Sequence, residues 1–219
     1  MQKPFFLIVI LATYVMAHPA KAQQEAATLA RLIDTICIDL TEDIGCEQVT
    51  LLKSADERGS ADIFVMPNVQ DNLAEPILVV RNAVWSGGMF GDTPYLERSE
   101  QGSLMIHSEQ SGSGRNPWRL THTVAMRDGI LMLVGYTFTT YDRLDNSIFA
   151  CDINLLTGAY EVSGTPPQVD PETGDLTDDD RLFEQSGRDA PSATPLADLT
   201  YDYHLPARCA QLRDTWELD

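Results

Sequence analysis

The chain is short of positive charge. Its 219 residues carry 15 Lys plus Arg against 33 Asp plus Glu, a net charge of −18, and its only lysines are Lys3, Lys21 and Lys53. Nothing forms a basic stripe, which excludes nucleic acid as a partner, because phosphate backbones are held through Lys and Arg. Histidine is nearly as scarce: His18, His107, His122 and His204 are the full set. No His-Glu-x-x-His helix, no Gly-x-Ser-x-Gly turn and no Cys-x-x-Cys pair occurs. Zinc-protease, α/β-hydrolase, thioredoxin-like and zinc-ribbon chemistry therefore have no anchor. Beyond residue 22 no apolar run approaches the roughly 20 residues that a membrane helix needs.

What is present begins with a compartment signal. Lys3 supplies a positive start, Phe5 to Met16 form an apolar run, and Ala20-Lys21-Ala22 offers a small-x-small cleavage site. Residues 1–22 are thus expected to be a secretory signal peptide, with no cysteine after the site to carry a lipid anchor. Export to a periplasmic or extracellular space favours disulfides over free thiols. Cys37, Cys46, Cys151 and Cys209 admit three pairings. The expected one is Cys37–Cys46 locally and Cys151–Cys209 over a long loop, where a cross-link constrains the unfolded chain most.

The expected fold is mainly β: an antiparallel meander sheet with an N-terminal amphipathic helix and a long acidic loop near the C-terminus. Leu29, Leu32, Ile33, Ile36, Cys37 and Leu40 recur at helical spacing, which predicts a helix over residues 25–40. Short β-prone runs follow at Gln48–Lys53, Asp62–Met66, Ile77–Trp85 and Ser103–Ser108. Trp118, Leu120, His122, Val124 and Met126 alternate with polar neighbours, a period of two, and Asp128-Gly129 then signals a hairpin into Ile130–Tyr141. Ser147–Leu155 and Ala159–Val162 continue the meander. Residues 164–199 hold five of the twelve prolines and nine carboxylates against Arg181 and Arg188, a composition that favours a loop, with a short helix expected near Asp179 to Glu184. The run Asp178-Asp179-Asp180 lacks the spacing of a calcium loop and reads as a solvated one. The segment 200–219 regains aromatics and carries Cys209, so it is expected to dock on the domain formed by residues 23–163.

Ser113-Gly114, Trp118-Arg119, Arg127-Asp128-Gly129, Leu133-Val134-Gly135-Tyr136, Tyr141-Asp142-Arg143, Ser147, Asn154-Leu155-Leu156-Thr157-Gly158 and Pro195-Leu196-Ala197-Asp198-Leu199 carry a resemblance. The chain resembles a family of uncharacterised exported bacterial β-proteins with an Asp-Gly hairpin and an Asn-x-Leu-Thr-Gly turn. Some members begin with an integrin-like calcium repeat. The corresponding stretch, Asp39 to Glu47, departs from it, with Ile44 where the turn glycine belongs and Thr41 in place of a better oxygen ligand. The resemblance implies a β fold and an exported location, and no activity comes with it.

The chemistry-bearing residues give two functional readings. His122 sits on the apolar row of its strand, as a satisfied core histidine would. Paired carboxylates are too numerous in so acidic a chain to single out, and nothing calls for a cofactor or a metal. The loop Ser111-Gly112-Ser113-Gly114-Arg115-Asn116, with Trp118 beside it, is a glycine-rich hairpin connection and the candidate interaction surface. It is loosely similar to the Ser-Gly loop that bacterial lysozyme inhibitors insert into a basic enzyme. The first reading is a non-catalytic binding module of the cell envelope, displaying the loops Trp85 to Thr93 and Ser111 to Trp118 to a basic envelope or secreted protein that the acidic charge would attract. The alternative is an envelope enzyme acting on a glycan or peptide through carboxylates; a concave pocket holding two shifted carboxyl groups would favour it.

Overall fold

The computed structural model describes residues 21–41, 45–55, 59–68, 75–89, 91–168, 170, 172–175, 182–201 and 205–216. The expected leader, the Asp178-Asp179-Asp180 run and His204 lie outside them, apart from residues 21 and 22 of the leader. The chain divides into two compact units, Met1–Leu32 and Ile33–Asp219. In the first, a helix, α1, covers residues 21–29 with every residue exposed, and Thr28 Oγ1 donates back to the Gln24 carbonyl at 3.0 Å.

The helix expected over residues 25–40 therefore stops early. Residues Leu32–Ile38 form a strand, β1. Its β-branched Ile33, Thr35, Ile36 and Ile38 lose side-chain freedom in a helix and suit a pleated sheet. Thr35 Oγ1 donates to the Val49 carbonyl at 3.1 Å, and Cys37 stands 5.4 Å, Cα to Cα, from its disulfide partner Cys46. Both fix β1 beside the next strand.

The second unit is mainly β. One antiparallel sheet has the order β1-β2-β3-β4, with β2 at Glu47–Lys53, β3 at Ser60–Met66 and β4 at Leu78–Trp85. The second contains β5 (Tyr95–Arg98), β6 (Leu104–Gln110), β7 (Trp118–Arg127), β8 (Ile130–Tyr141), β9 (Ile148–Asn154), β10 (Ala159–Thr165) and β11 (Phe183–Arg188). It runs β11-β10-β9-β8-β7-β6-β5, so it is an uninterrupted meander. A two-residue strand, β12 (Thr194–Pro195), pairs with Met132 and Leu133, the part of β8 that β9 does not cover.

The central hairpin follows from its turn. Asp128 and Gly129 both have positive φ, 51° and 77°, as the tight turn matched to strand twist requires, and they set β7 and β8 in register from Arg127↔Ile130 to Trp118↔Thr140. Buried side chains of both sheets, among them Val49, Leu51, Ile63, Val65, Leu104, Ile106 and Val124, merge into one core. Cys151 on β9 pairs with Cys209 on a helix, α2 (Ala207–Trp216), with Cα atoms 5.9 Å apart and both residues buried. The two cysteine pairs are the expected ones.

The acidic stretch 164–199 is not loop throughout. It contributes β11, β12 and a 3-10 turn, Leu196–Asp198, whose Leu196 is fully buried. Part of the helix expected near Asp179 to Glu184 lies outside the described residues, and Phe183 and Glu184 instead open β11. That strand is a sheet edge, exposed along most of its length, so it needs no apolar row. The short β5 is a further strand, absent from the expected β-prone runs on either side of it, Ile77–Trp85 and Ser103–Ser108.

Candidate functional site

The loop 111–118 joins β6 to β7, which pair at Gln110↔Trp118. Its geometry is set by a residue from another loop. Asp92 is 3% exposed, and its Oδ1 accepts from the backbone N–H groups of Ser111 at 3.2 Å and Gly112 at 3.3 Å. Ser111 Oγ donates to the Gly91 carbonyl at 3.0 Å. Gly91 has φ +84°, and a Cβ there would run into Ser111 Oγ. The loops 85–93 and 111–118 are thereby brought together and fixed to each other.

The other flank is a clasp with the β8–β9 turn. Arg115 ion-pairs with Asp142 and, at 3.0 Å, with Asp145. Asn116 Nδ2 donates to Asp142 Oδ2 at 3.1 Å. Arg143 reaches back, donating through Nη1 to the Gly114 carbonyl at 2.9 Å and through Nη2 to the Ser111 carbonyl at 2.6 Å. Thr140 Oγ1 donates to the Pro117 carbonyl at 2.9 Å. Burial pushes the Asp142 carboxyl up, but hydrogen bonds from the Leu144 backbone, Arg115, Asn116 and the Asp145 backbone outweigh it and hold it below the usual carboxylate range. Both arginines of this region are therefore spent inside it. Trp118 is tied as well, its Nε1 donating to Gln110 Oε1 at 2.9 Å, while Gln110 Nε2 donates to Ser113 Oγ at 3.4 Å.

A cavity of about 360 Å³ lies beside this clasp, lined by Arg115, Asn116, Asp142, Asp145 and Phe149 among others. It holds two carboxyl groups, yet Asp142 is shifted toward the ionised form, opposite to what a general acid near neutral pH requires. Among the described residues no group of three or more His, Cys, Asp or Glu side chains is placed to hold a metal ion. Glu47, at the end of the stretch that departs from the calcium repeat, is buried and accepts from Leu40 N and Thr41 Oγ1, each at 2.7 Å; residues 42–44 of that stretch lie outside the described residues.

A second cavity, about 310 Å³, lies where β4, β6, β7 and β8 meet the segment Thr194–Tyr201. Trp85, Trp118, Tyr136 and Tyr201 line it, with Leu120, Leu133 and Leu199 between them, and His122 is part of its wall. The Trp85 and Trp118 rings stand 6.4 Å apart at 60°, and Tyr136 meets His122 edge to face at 5.5 Å. His122 keeps some accessible surface because it lines the cavity. It nonetheless lies deep in protein, and burial pushes its imidazole down to about 4. Its Nδ1 and the Trp85 Nε1 are sealed from solvent without a hydrogen-bond partner. The satisfied histidine expected from the apolar row is thus an unsatisfied one.

By contrast, His107 on β6 is partnered. Its Nδ1 lies 2.9 Å from Thr121 Oγ1, and its ring stacks on Tyr95 at 4.3 Å. Burial lowers its pKa even though Glu97 and Glu109 pull the other way.

Sequence reasoning placed the 111–118 loop but missed Asp92, its organiser, because nothing in the local pattern around residue 92 marks a partner nineteen positions away. It also placed Trp85 and Trp118 in separate display loops, whereas they share one pocket wall. Compared with protein-family models, curated proteins and solved structures, the chain matches none. No helix among the described residues is long and apolar enough to cross a membrane.

Proposed function

We propose that this protein is an exported, non-catalytic binding module of the cell envelope, which presents the joined loops 85–93 and 111–118 to a basic protein. The observation that carries the reading is the pair of backbone N–H groups, Ser111 and Gly112, held by the buried Asp92 carboxylate. A loop fixed in advance loses little conformational entropy when a partner docks. The clasp through Arg115 and Arg143 supports the same reading from the other side. A net charge of −18 would draw a basic partner from a distance and would make the association salt-sensitive. The two paired disulfides fit an oxidising, exported location, and the resemblance to exported β-proteins points the same way. Hydrolysis through the carboxylates near Asp142 is disfavoured, since that group is held ionised.

The test is retention of envelope proteins on immobilised protein at low and high salt, with Ser113→Arg as the control that places a cation in the loop. The expected result is a basic protein retained at low salt, released at high salt and lost with the variant. Turnover of glycans or peptides by the purified protein, with no species retained, would overturn the reading.

A further inference from the structure

We propose that the cavity walled by Trp85, Trp118, Tyr136 and Tyr201 is a binding site for a small organic ammonium ion. Among the described residues its lining contains the four rings of Trp85, Trp118, Tyr136 and Tyr201 and one carboxylate, Asp198, but no lysine or arginine. Aromatic faces attract cations through their negative π-surfaces, most strongly where water is displaced. Asp198 is exposed at the rim together with Thr194 and Thr200, where it adds attraction without needing a buried counter-charge. His122, the one basic group among the described residues of the wall, is kept neutral by burial, so it does not repel a cation at physiological pH.

Other ligand classes fit less well. An anion would meet Asp198 and the negative field of the whole chain. A flat ring cannot slide between Trp85 and Trp118, whose centroids are only 6.4 Å apart and steeply tilted, since stacking on both faces needs roughly 7 Å. At about 310 Å³ the cavity lies at the small end of ligand pockets, a size that suits a compact alkylammonium group. The Nδ1 of His122 and the Nε1 of Trp85 are sealed from solvent, so the wall meets a ligand through its aromatic faces and Asp198 rather than through these nitrogens. The inference is independent of the loop reading and does not require a protein partner.

The test uses the purified protein, choline as the cation and 3,3-dimethyl-1-butanol as its neutral isostere, with tryptophan fluorescence and imidazole NMR shifts as readouts. Choline is expected to bind saturably and roughly tenfold more tightly than the alcohol. Asp198→Asn is expected to weaken choline about threefold while leaving the alcohol unchanged. Because Asp198 is exposed and the substitution isosteric, the variant keeps the fold. Co-sedimentation with phosphatidylcholine vesicles in addition to choline binding identifies a lipid headgroup as the source of the cation; choline binding without co-sedimentation identifies a free one. Equal affinity for the alcohol and choline, or no saturation by either, would overturn the proposal.

Discussion

The start and the middle of β7 solve the problem of burying polar groups in opposite ways. At its start, around the loop 111–118, Asp92, Asp142 and Asp145 accept from backbone N–H groups or guanidinium groups, and Arg115 and Arg143 are spent on carboxylates and carbonyls. Four positions further along, the Nδ1 of His122 has no partner. The first arrangement is a structural device: every bond closes within the chain, and the loop is rigid as a result. The second leaves a nitrogen sealed in protein behind a cavity wall without a partner. A polar network that is complete explains shape, whereas one that is incomplete carries a cost in stability.

The largest expected effect tests the pocket side. Folding keeps His122 neutral, with its pKa lowered from 6.5 to about 4. Below pH 6.5 the unfolded chain takes up a proton that the folded chain refuses, so stability falls as pH drops toward 4 and is unaffected by this group above 6.5. The loss amounts to about 3 kcal/mol across the window, visible in urea midpoints. His122→Leu should remove that slope. If the variant and the parent show the same slope between pH 6.5 and 4, His122 is not held neutral.

Next in size is Asp92→Ala, which leaves the Ser111 and Gly112 N–H groups without their acceptor and should cost about 2 kcal/mol in urea unfolding. Backbone amide exchange at Ser111 and Gly112 should quicken at the same time. A variant with unchanged exchange there would mean that the loop is held by something other than Asp92.

Asp142→Asn should cost roughly 1 to 2 kcal/mol, because charge-assisted bonds from Arg115 and Asn116 weaken. The sign of its pH dependence is the reverse of an ordinary histidine gain: with its folded pKa lowered, Asp142 stabilises fully above the unfolded carboxylate value, near 4, and the contribution is lost as pH falls through the lower folded value. The variant should therefore be less sensitive to acid below about pH 4. Smallest of all is Asp198→Asn, exposed at the pocket rim, whose effect on stability should stay within about 0.5 kcal/mol; a larger loss would make it a structural residue rather than part of a cation site.

Much of this arrangement was legible in the chain. The β7–β8 hairpin is written twice, in the alternation from Trp118 to Met126 and in the positive-φ turn at Asp128-Gly129, and both signals agree. The N-terminal stretch carried two conflicting periods. Leu29, Leu32, Ile33 and Ile36 fit a helix, while β-branching from Ile33 to Ile38 fits a strand, and pairing with β2 decided between them. The edge strand β11 left no trace, because a strand exposed on most of its surface has no apolar row to show. Of the loops, the position and glycine content were readable, but the partners were not. Asp92 and Ser111, or Trp85 and Trp118, meet only once the sheets are assembled, and single-chain patterns do not encode contacts of that range. His122 was marked by its place on the apolar row, and the cavity beside it depends on Thr194–Leu199, whose acidic surroundings suggested a loop, and on Thr200 and Tyr201 at the start of the segment expected to dock.

The most direct measurement is an NMR titration of the imidazole resonances, with His122 assigned by comparison with His122→Gln. A neutral histidine buried at the cavity wall should titrate with a midpoint near 4 and shift when choline is added at pH 7. A midpoint near the ordinary 6.5, with no response to choline, would contradict both the burial of His122 and the site built around it.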